Sequence, residues 1–354
     1  MSAESALEPA QRRRRLPAWP LWIVALALVG VFPLVFSDVT TTSIAVFTLI
    51  FMVSASAWNI FSGYSGYLAL GHAVFFGTGA YTVALTAQDW HVATGWTIFA
   101  LLPLGGIVAG AVAIPLGLIA LRTRRHTFVV VTIAMFFVFQ LLATNLPFTQ
   151  GTSGVQINTP QWSPYTYNRP FFYVTLAILV LTVLVSFGVR RSRFGLQLMA
   201  IRDDEDRARG MGVRVWPVKL AAFTLSAIPI GMAGGMYAYF LGVVYPSVAF
   251  DPLFDIAIAL MAFLGGLGTL AGPLLGALVL ESLQQYFTQQ FSNSSLYLII
   301  YGALFLIVIL LLPRGVVPSV TQFVGSRRAR AAGRRSGGED AGGLGVDVAG
   351  AATP

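Results

Sequence analysis

The residues able to do chemistry are few, and their spacing excludes most of it. Three histidines, His72, His91 and His126, are scattered and form no metal-binding spacing. There is no cysteine, which removes disulfides, thiolate zinc sites and iron–sulfur clusters. The one lysine, Lys219, lies in VWPVKLAAF, and no G-x-x-x-x-G-K-[ST] occurs, so the chain supplies no P-loop of its own. No nucleophile–base pair or metal constellation points to an enzyme. Ionisable groups inside apolar stretches are His72, Asp255 and Glu281, too few for a proton relay. His72 either lines a route or makes a hydrogen bond at a helix break. Glu281 reads as a structural or interface carboxylate, and Asp255 as a solvated rim near the outer mouth. Charge gathers instead in one island from Arg190 to Pro217, RRSRFGLQLMAIRDDEDRARGMGVRVWP, which holds seven arginines and four acids.

Elements that position this island must cross lipid. Hydrophobic residues make up 56% of the chain and charged residues 10%, with a mean hydropathy of +0.76. Soluble domains carry about 25% charged residues. The net charge of +8 could indicate nucleic acid, but the arginines lie beside and between apolar runs, where they set topology instead. A spanning helix needs about 20 apolar residues. Ten segments qualify, at about 20–36, 43–62, 70–88, 96–121, 127–145, 171–189, 218–241, 252–267, 272–291 and 295–312. The first, preceded by Arg12 to Arg15, lacks a cleavage site and is read as a retained anchor. An even count puts both termini on one side. Of the 22 Lys and Arg, Arg169 alone then falls on the opposite side, which makes the arginine-rich side cytoplasmic.

Two spans look broken, at GYSGYLALGHAVFFGTGAY from Gly63 and at GGLGTLAGPLLGA from Gly265. Glycine this dense weakens a helix and permits close backbone approach. Corresponding interruptions in two halves point to an internal repeat with a pathway at its interface, and the alternative is ordinary close packing. The candidate pathway residues are Asn59, Gly63, Gly66, Gly71, His72, Gly265, Gly266, Gly268 and Gly272. Residues 146–170 form a polar, aromatic outer loop that is a lid, a partner contact or a passive connector. The chain thus divides into a basic arm at 1–18, a transmembrane domain at 19–313 that contains the island at 190–217, and a disordered tail at 314–354.

The island itself reads as two short helices. The first covers Phe194 to Ile201. The second starts with Asp203 as its N-cap and Asp206 at the N3 position, carries acids in its first turn and Arg207 and Arg209 in its last, and stops at Gly210 and Gly212. Ala208 and Met211 share a face with Asp204 and are expected on show. A solvated loop that only sets topology is the alternative.

The run S-x-F-G-x-x-L-x-A-I-R-D-x-E-x-x-A-x-x-M-G, Ser192 to Gly212, resembles the coupling loop of the branched-chain amino acid transporter permeases, membrane subunits of ABC importers, with the LivM type as closest fit. Likeness extends over about 58–280. It includes Asn59, Gly63-Tyr64, Leu70-Gly71-His72-Ala73, Lys219-Leu220, Gly265-Gly266-Leu267-Gly268-Thr269 and Gly272-Pro273. Thr149-x-Gly151-x-x-Gly154 fits the family's outer loop, with Gln150 where glycine is common, and Pro229 interrupts the seventh span. The resemblance implies an all-α polytopic type II importer permease in the bacterial inner membrane, non-catalytic, with no cofactor. Its implied partners are a related second permease, two cytoplasmic ATPases that bind the ATP, and an extracytoplasmic binding protein. It places ATPase coupling on Gly195, Ala200, Ile201, Arg202, Glu205, Ala208, Met211 and Gly212. Branched-chain or related hydrophobic amino acids are the implied cargo. A urea or short-amide permease and a stand-alone secondary transporter are the alternatives.

Overall fold

The computed structural model describes residues 19–36, 38–290 and 302–303. Helices run α1 Trp19–Val35, α2 Val39–Trp58, α3 Ala73–Asp89, α4 Trp96–Phe99, α5 Leu102–Ala120, α6 Arg125–Asn145, α7 Pro164–Arg191, α8 Arg193–Asp203, α9 Glu205–Gly210, α10 Val215–Leu241, α11 Pro246–Ala249, α12 Pro252–Gly265 and α13 Gly272–Gln290. Helix α2 continues through a wider π turn, Asn59–Gly63. Its start is set by Asp38, whose carboxylate caps Thr41 N at 2.9 Å. That bond and a second from the Thr41 hydroxyl hold the Asp38 carboxyl below its ordinary pKa.

Helix α10 is the centre of the bundle and packs against α2, α3, α5, α7 and α8. Its sequence, VWPVKLAAFTLSAIPIGMAGGMYAYFL, is rich in small residues, and they decide the packing. A Cβ on Gly79 of α3 would collide with the Gly231 backbone, and one on Gly234 with the Phe76 backbone. Apolar side chains gain little by leaving lipid for protein, so such close approach of backbones is what holds spans together. Pro229 lies inside α10, and the helix runs on through it. The residues of α10 around Pro229, Ala227 to Gly235 except Ile228, are buried against neighbouring helices, where a proline interruption is tolerated.

Polar bonds between elements are few and specific. Asn168 of α7 donates to Val39 O at 3.0 Å, Thr42 Oγ1 at 2.8 Å and Ser43 Oγ at 3.0 Å, tying α7 to the start of α2. Thr48 and Ser282 hydroxyls meet at 3.1 Å between α2 and α13. Two short strands, β1 Val155–Gln156 and β2 Val243–Val244, pair antiparallel with Val155 opposite Val244. They fasten the loop after α6 to the end of α10.

Among the described residues, six helical stretches are long and apolar enough to cross a membrane: Val39–Gly63, Trp96–Ala120, His126–Asn145, Thr166–Arg191, Val215–Leu241 and Pro246–Gly265. The count of ten is not confirmed. The expected spans at 20–36 and 70–88 are helices of 17 residues, at the short limit for crossing. That at 272–291 is a 19-residue helix carrying Glu281 and four glutamines. The tenth, at 295–312, lies outside the described residues except for 302–303, as do the basic arm and the tail. The loop expected at 146–170 is also shorter, because α7 begins at Pro164, its first turn opened by that proline.

Candidate functional site: the polar island and the breaks beneath it

The island folds as two short helices with their own caps. Ser192 Oγ accepts from Gly195 N at 3.2 Å and starts α8. The second helix starts one residue later than the sequence pattern indicates. Asp203 stays in the last turn of α8, and Asp204 is extended, with φ −156° and ψ 111°. One oxygen of Asp204 accepts from Asp206 N and Arg207 N at 3.0 Å each. With Asp204 as the N-cap, Arg207 occupies the N3 position, so no capping box forms. At the other end Val213 N donates to Ala208 O at 3.1 Å and Gly212 N to Arg209 O at 3.0 Å. Gly212 takes the left-handed φ of +87° that this double closure requires.

Only part of the expected contact set faces outward. Ala200, Asp203, Asp204, Arg207 and Met211 line an open depression of about 470 Å³, and Met211 is 73% exposed. Gly195, Ile201 and Ala208 are buried. A Cβ on Gly195 would collide with Val189 O, where α7 turns into α8. Ala208 was expected on show with Met211; it lies instead on the inner side of α9, and its face is taken up by the bundle.

Glu205 also points inward. One of its oxygens accepts from Lys219 Nζ at 3.2 Å and from Arg209 Nη2 at 3.2 Å. The other accepts from the Tyr67 hydroxyl. Lys219 Nζ also lies 3.1 Å from that hydroxyl and 4.2 Å from the Tyr67 ring centroid. Burial pushes the Glu205 carboxyl up, but the Tyr67 bond and the Lys219 and Arg209 charges outweigh it, so its pKa is lowered. The exposed pairs Arg207–Asp204 at 3.1 Å and Arg209–Asp206 at 3.8 Å add little.

Arg202 joins the island to the breaks. Its Nη1 donates to Gly63 O at 3.0 Å, at the end of the π turn. Directly below, Asn59 bridges the two glycine-rich segments: its Oδ1 accepts from Gly268 N at 2.9 Å and its Nδ2 donates to Thr269 O at 3.0 Å. Gly66 and Gly268 both have left-handed φ, +73° and +72°, and at either one a Cβ would run into Arg202. So Asn59, Gly63, Gly66, Gly268 and Arg202, residues up to 209 apart in sequence, form one cluster.

The other candidates lie elsewhere. Gly265 and Gly272 bring α12 and α13 into backbone contact on either side of a turn that includes Gly266, with φ +116°. Gly71 abuts Thr132 of α6, and Leu70 N donates to Thr132 Oγ1 at 3.2 Å. His72 is fully buried, and its Nε2 lies 3.1 Å from Ser226 Oγ. Asp255 is not a solvated rim. It is 2% exposed and accepts from His72 N at 2.8 Å and Ala73 N at 3.1 Å. It thereby caps α3 from another helix, because the break leaves these N–H groups without a carbonyl partner. The N-terminus of α3 is therefore occupied by protein. Glu281 is fully buried, with Gln285 Nε2 donating to it at 2.8 Å.

Sequence reasoning missed Tyr67 and Thr269 as partners and misplaced Asp255. A signal for the ion pair was present: a lone lysine in an apolar span needs an anion, and the run of acids from Asp203 to Asp206, which includes Glu205, is the nearest along the chain to Lys219.

The comparisons with known proteins agree with one another. Residues 40–309 match the family described as branched-chain amino acid transport system / permease component. The high-affinity branched-chain amino acid transport system permease protein LivM of Escherichia coli K12 is 30% identical, covering 84% of this chain and 75% of its own. LivM of Salmonella typhimurium matches to the same extent. LivH of Escherichia coli K12 is 23% identical over 74% of this chain and 89% of its own. No solved structure matches the chain. With six apolar crossing helices and these relatives, it is a multi-pass membrane protein. The chain belongs to the family of branched-chain amino acid transport system permease components, and within that family it is of the LivM type.

Proposed function

We propose that this chain is the membrane subunit of an ATP-driven importer, moving branched-chain and related hydrophobic amino acids inward, and that separate ATPase subunits drive it through the island at 190–217. The observation that carries this reading is likeness to LivM along most of the chain. The chain itself is non-catalytic, and any ATP is bound by the partner subunits. LivM and LivH of Escherichia coli K12 are both permease proteins of a high-affinity branched-chain amino acid transport system, which supports pairing with a related second permease. Two cytoplasmic ATPases and an extracytoplasmic binding protein complete the assembly. The chain lies in the bacterial inner membrane with both termini and the island cytoplasmic, in keeping with the arginine distribution.

In this reading the depression lined by Ala200, Asp203, Asp204, Arg207 and Met211 receives the ATPase. Nucleotide-driven closure of the ATPases shifts the permease between outward and inward states, which requires tighter docking in one state than in the other. The pathway runs beside the glycine-rich breaks, from Asn59 to His72 and from Gly265 to Gly272. The test is uptake of labelled leucine into proteoliposomes containing the chain, its partner permease, the binding protein and the ATPases. Uptake that requires ATP and the ATPases is the expected result. Gradient-driven flux through the chain alone would replace this reading with that of a stand-alone transporter, and competition by urea or acetamide but not isoleucine would replace the cargo.

A further inference from the structure

Resting on the reading just given, we infer that Arg202 is a positioning residue that carries movement of the island directly into the meeting point of the two glycine-rich breaks. The alternative route would be rigid motion of the long helices α7 and α10, which flank the island.

Arg202 stands in the last turn of α8, the helix that contributes Ala200 and Asp203 to the exposed depression. Its guanidinium takes a backbone carbonyl that the helix has released. In a continued helix Tyr67 N would donate to Gly63 O, whereas here Tyr67 N lies 3.3 Å from Ser65 Oγ and Arg202 Nη1 occupies Gly63 O. Room for the side chain depends on missing side chains at Gly66 and Gly268, one from each break. Beneath it Asn59 is bonded to Gly268 and Thr269, so what moves Gly63 also loads the 266–271 turn. One helix later the island is attached to the same break again, through Glu205 and Tyr67. Both island helices therefore hold the α2–α3 break, and the exposed depression is lined by other residues of the same two helices and by Asp204 and Met211. A π turn and left-handed glycines give way more readily than a helix of 27 residues, so displacement of α8 is taken up at the breaks first.

The experiment uses the assembled complex in proteoliposomes and reads three quantities: co-purification of the ATPases, ATP turnover, and substrate moved per ATP. Arg202→Gln is expected to leave association and turnover near wild type while substrate moved per ATP falls about tenfold, the scale of one charge-assisted hydrogen bond. Arg202→Lys, which keeps the charge but loses the fork, is expected to fall less. Because the chain has no cysteine, Leu267→Cys gives a second readout at a single thiol of this chain, read on its own gel band. Maleimide labelling there should change on ATP binding with Arg202 present and not with Arg202→Gln. An unchanged ratio of transport to ATP, or loss of ATPase association in step with transport, would overturn the inference. If Arg202→Gln does not accumulate, Arg202→Lys is judged by the same two criteria. Absence of any ATPase binding by the wild-type chain would instead overturn the proposed function.

Discussion

Glu205 of α9 and Lys219 of α10 meet at 3.2 Å, and the Tyr67 hydroxyl bonds to both. The lysine side chain is 3% exposed and the glutamate 19%. This pair holds the island against the membrane domain and is turned away from the exposed face of α9. Glu205→Ala leaves the Lys219 charge without its carboxylate, and we expect it to cost about 2 kcal/mol, as for other charge-assisted bonds. Glu205→Gln, which can still bond Tyr67, should cost less. Thermal unfolding in detergent, followed by size-exclusion fluorescence, checks the order.

The same pair sets a pH dependence. The Glu205 pKa in the folded chain lies below its ordinary value of 4.5, so the ionised form is favoured by folding. Its contribution is fully present above pH 4.5 and is lost as pH falls through the lower folded value. The melting temperature should therefore be insensitive to this group from pH 7 to about 5 and decline below that, with Glu205→Gln removing part of the decline. A Glu205→Gln profile parallel to wild type below pH 4.5 would contradict the assignment.

Met211 provides the outward counterpart. It is 73% exposed and lines the depression with Ala200 and Asp204. Met211→Glu should leave the stability within about 0.5 kcal/mol of wild type, as for other surface changes. Pull-down of the ATPase subunits should fall several-fold. Ala208→Leu, by contrast, should act through folding, because Ala208 is fully buried.

These contrasts show what the sequence could and could not reveal. Period, caps and glycine stops made α8 and α9 legible as two short helices, and local hydropathy placed the six long spans. The inside and outside of α9 were not legible. With six residues it is too short for a periodic pattern to separate Ala208 and Glu205 from Met211. Pairings across long separations, such as Asn59 with Gly268 or Asp255 with His72, leave no local trace. They arise because broken helices expose N–H and C=O groups that some distant residue must satisfy. The shift of the α9 cap from Asp203 to Asp204 reflects adjacent aspartates, either of which can cap; the length of α8 chooses between them.

Asp255 gives the next prediction. Its carboxylate accepts from both His72 N and Ala73 N at the start of α3. Asp255→Asn keeps the size and one acceptor oxygen but turns an NH₂ group towards one of the two N–H donors. The cost should be about 1–3 kcal/mol, the penalty for a buried polar group left unsatisfied, and Asp255→Ala should cost more. Loss of folded protein in detergent, rather than a selective change in substrate affinity, is the expected outcome. If Asp255→Asn were fully stable and only weakened substrate binding, the carboxylate would belong to the pathway and not to the helix cap.

Gln150 tests the loop between α6 and α7, and opposing effects decide the sign. Its φ is +55°, left-handed, in a position between Thr149 and Gly151 that closes the loop after α6. A non-glycine residue there bears about 1–2 kcal/mol of strain. Gln150→Gly relieves that strain, loses an exposed 3.3 Å contact to Gln88 Oε1, and adds freedom to the unfolded chain worth roughly 0.5–1 kcal/mol. The surface contact counts for little, so relief outweighs the rest and the substitution should stabilise by about 0.5 kcal/mol. Gln150→Val should destabilise, because branching at Cβ makes the left-handed conformation costlier still. Paired melting curves of the two variants measure both signs, and destabilisation by glycine would show that the Gln88 contact carries more than its exposure implies.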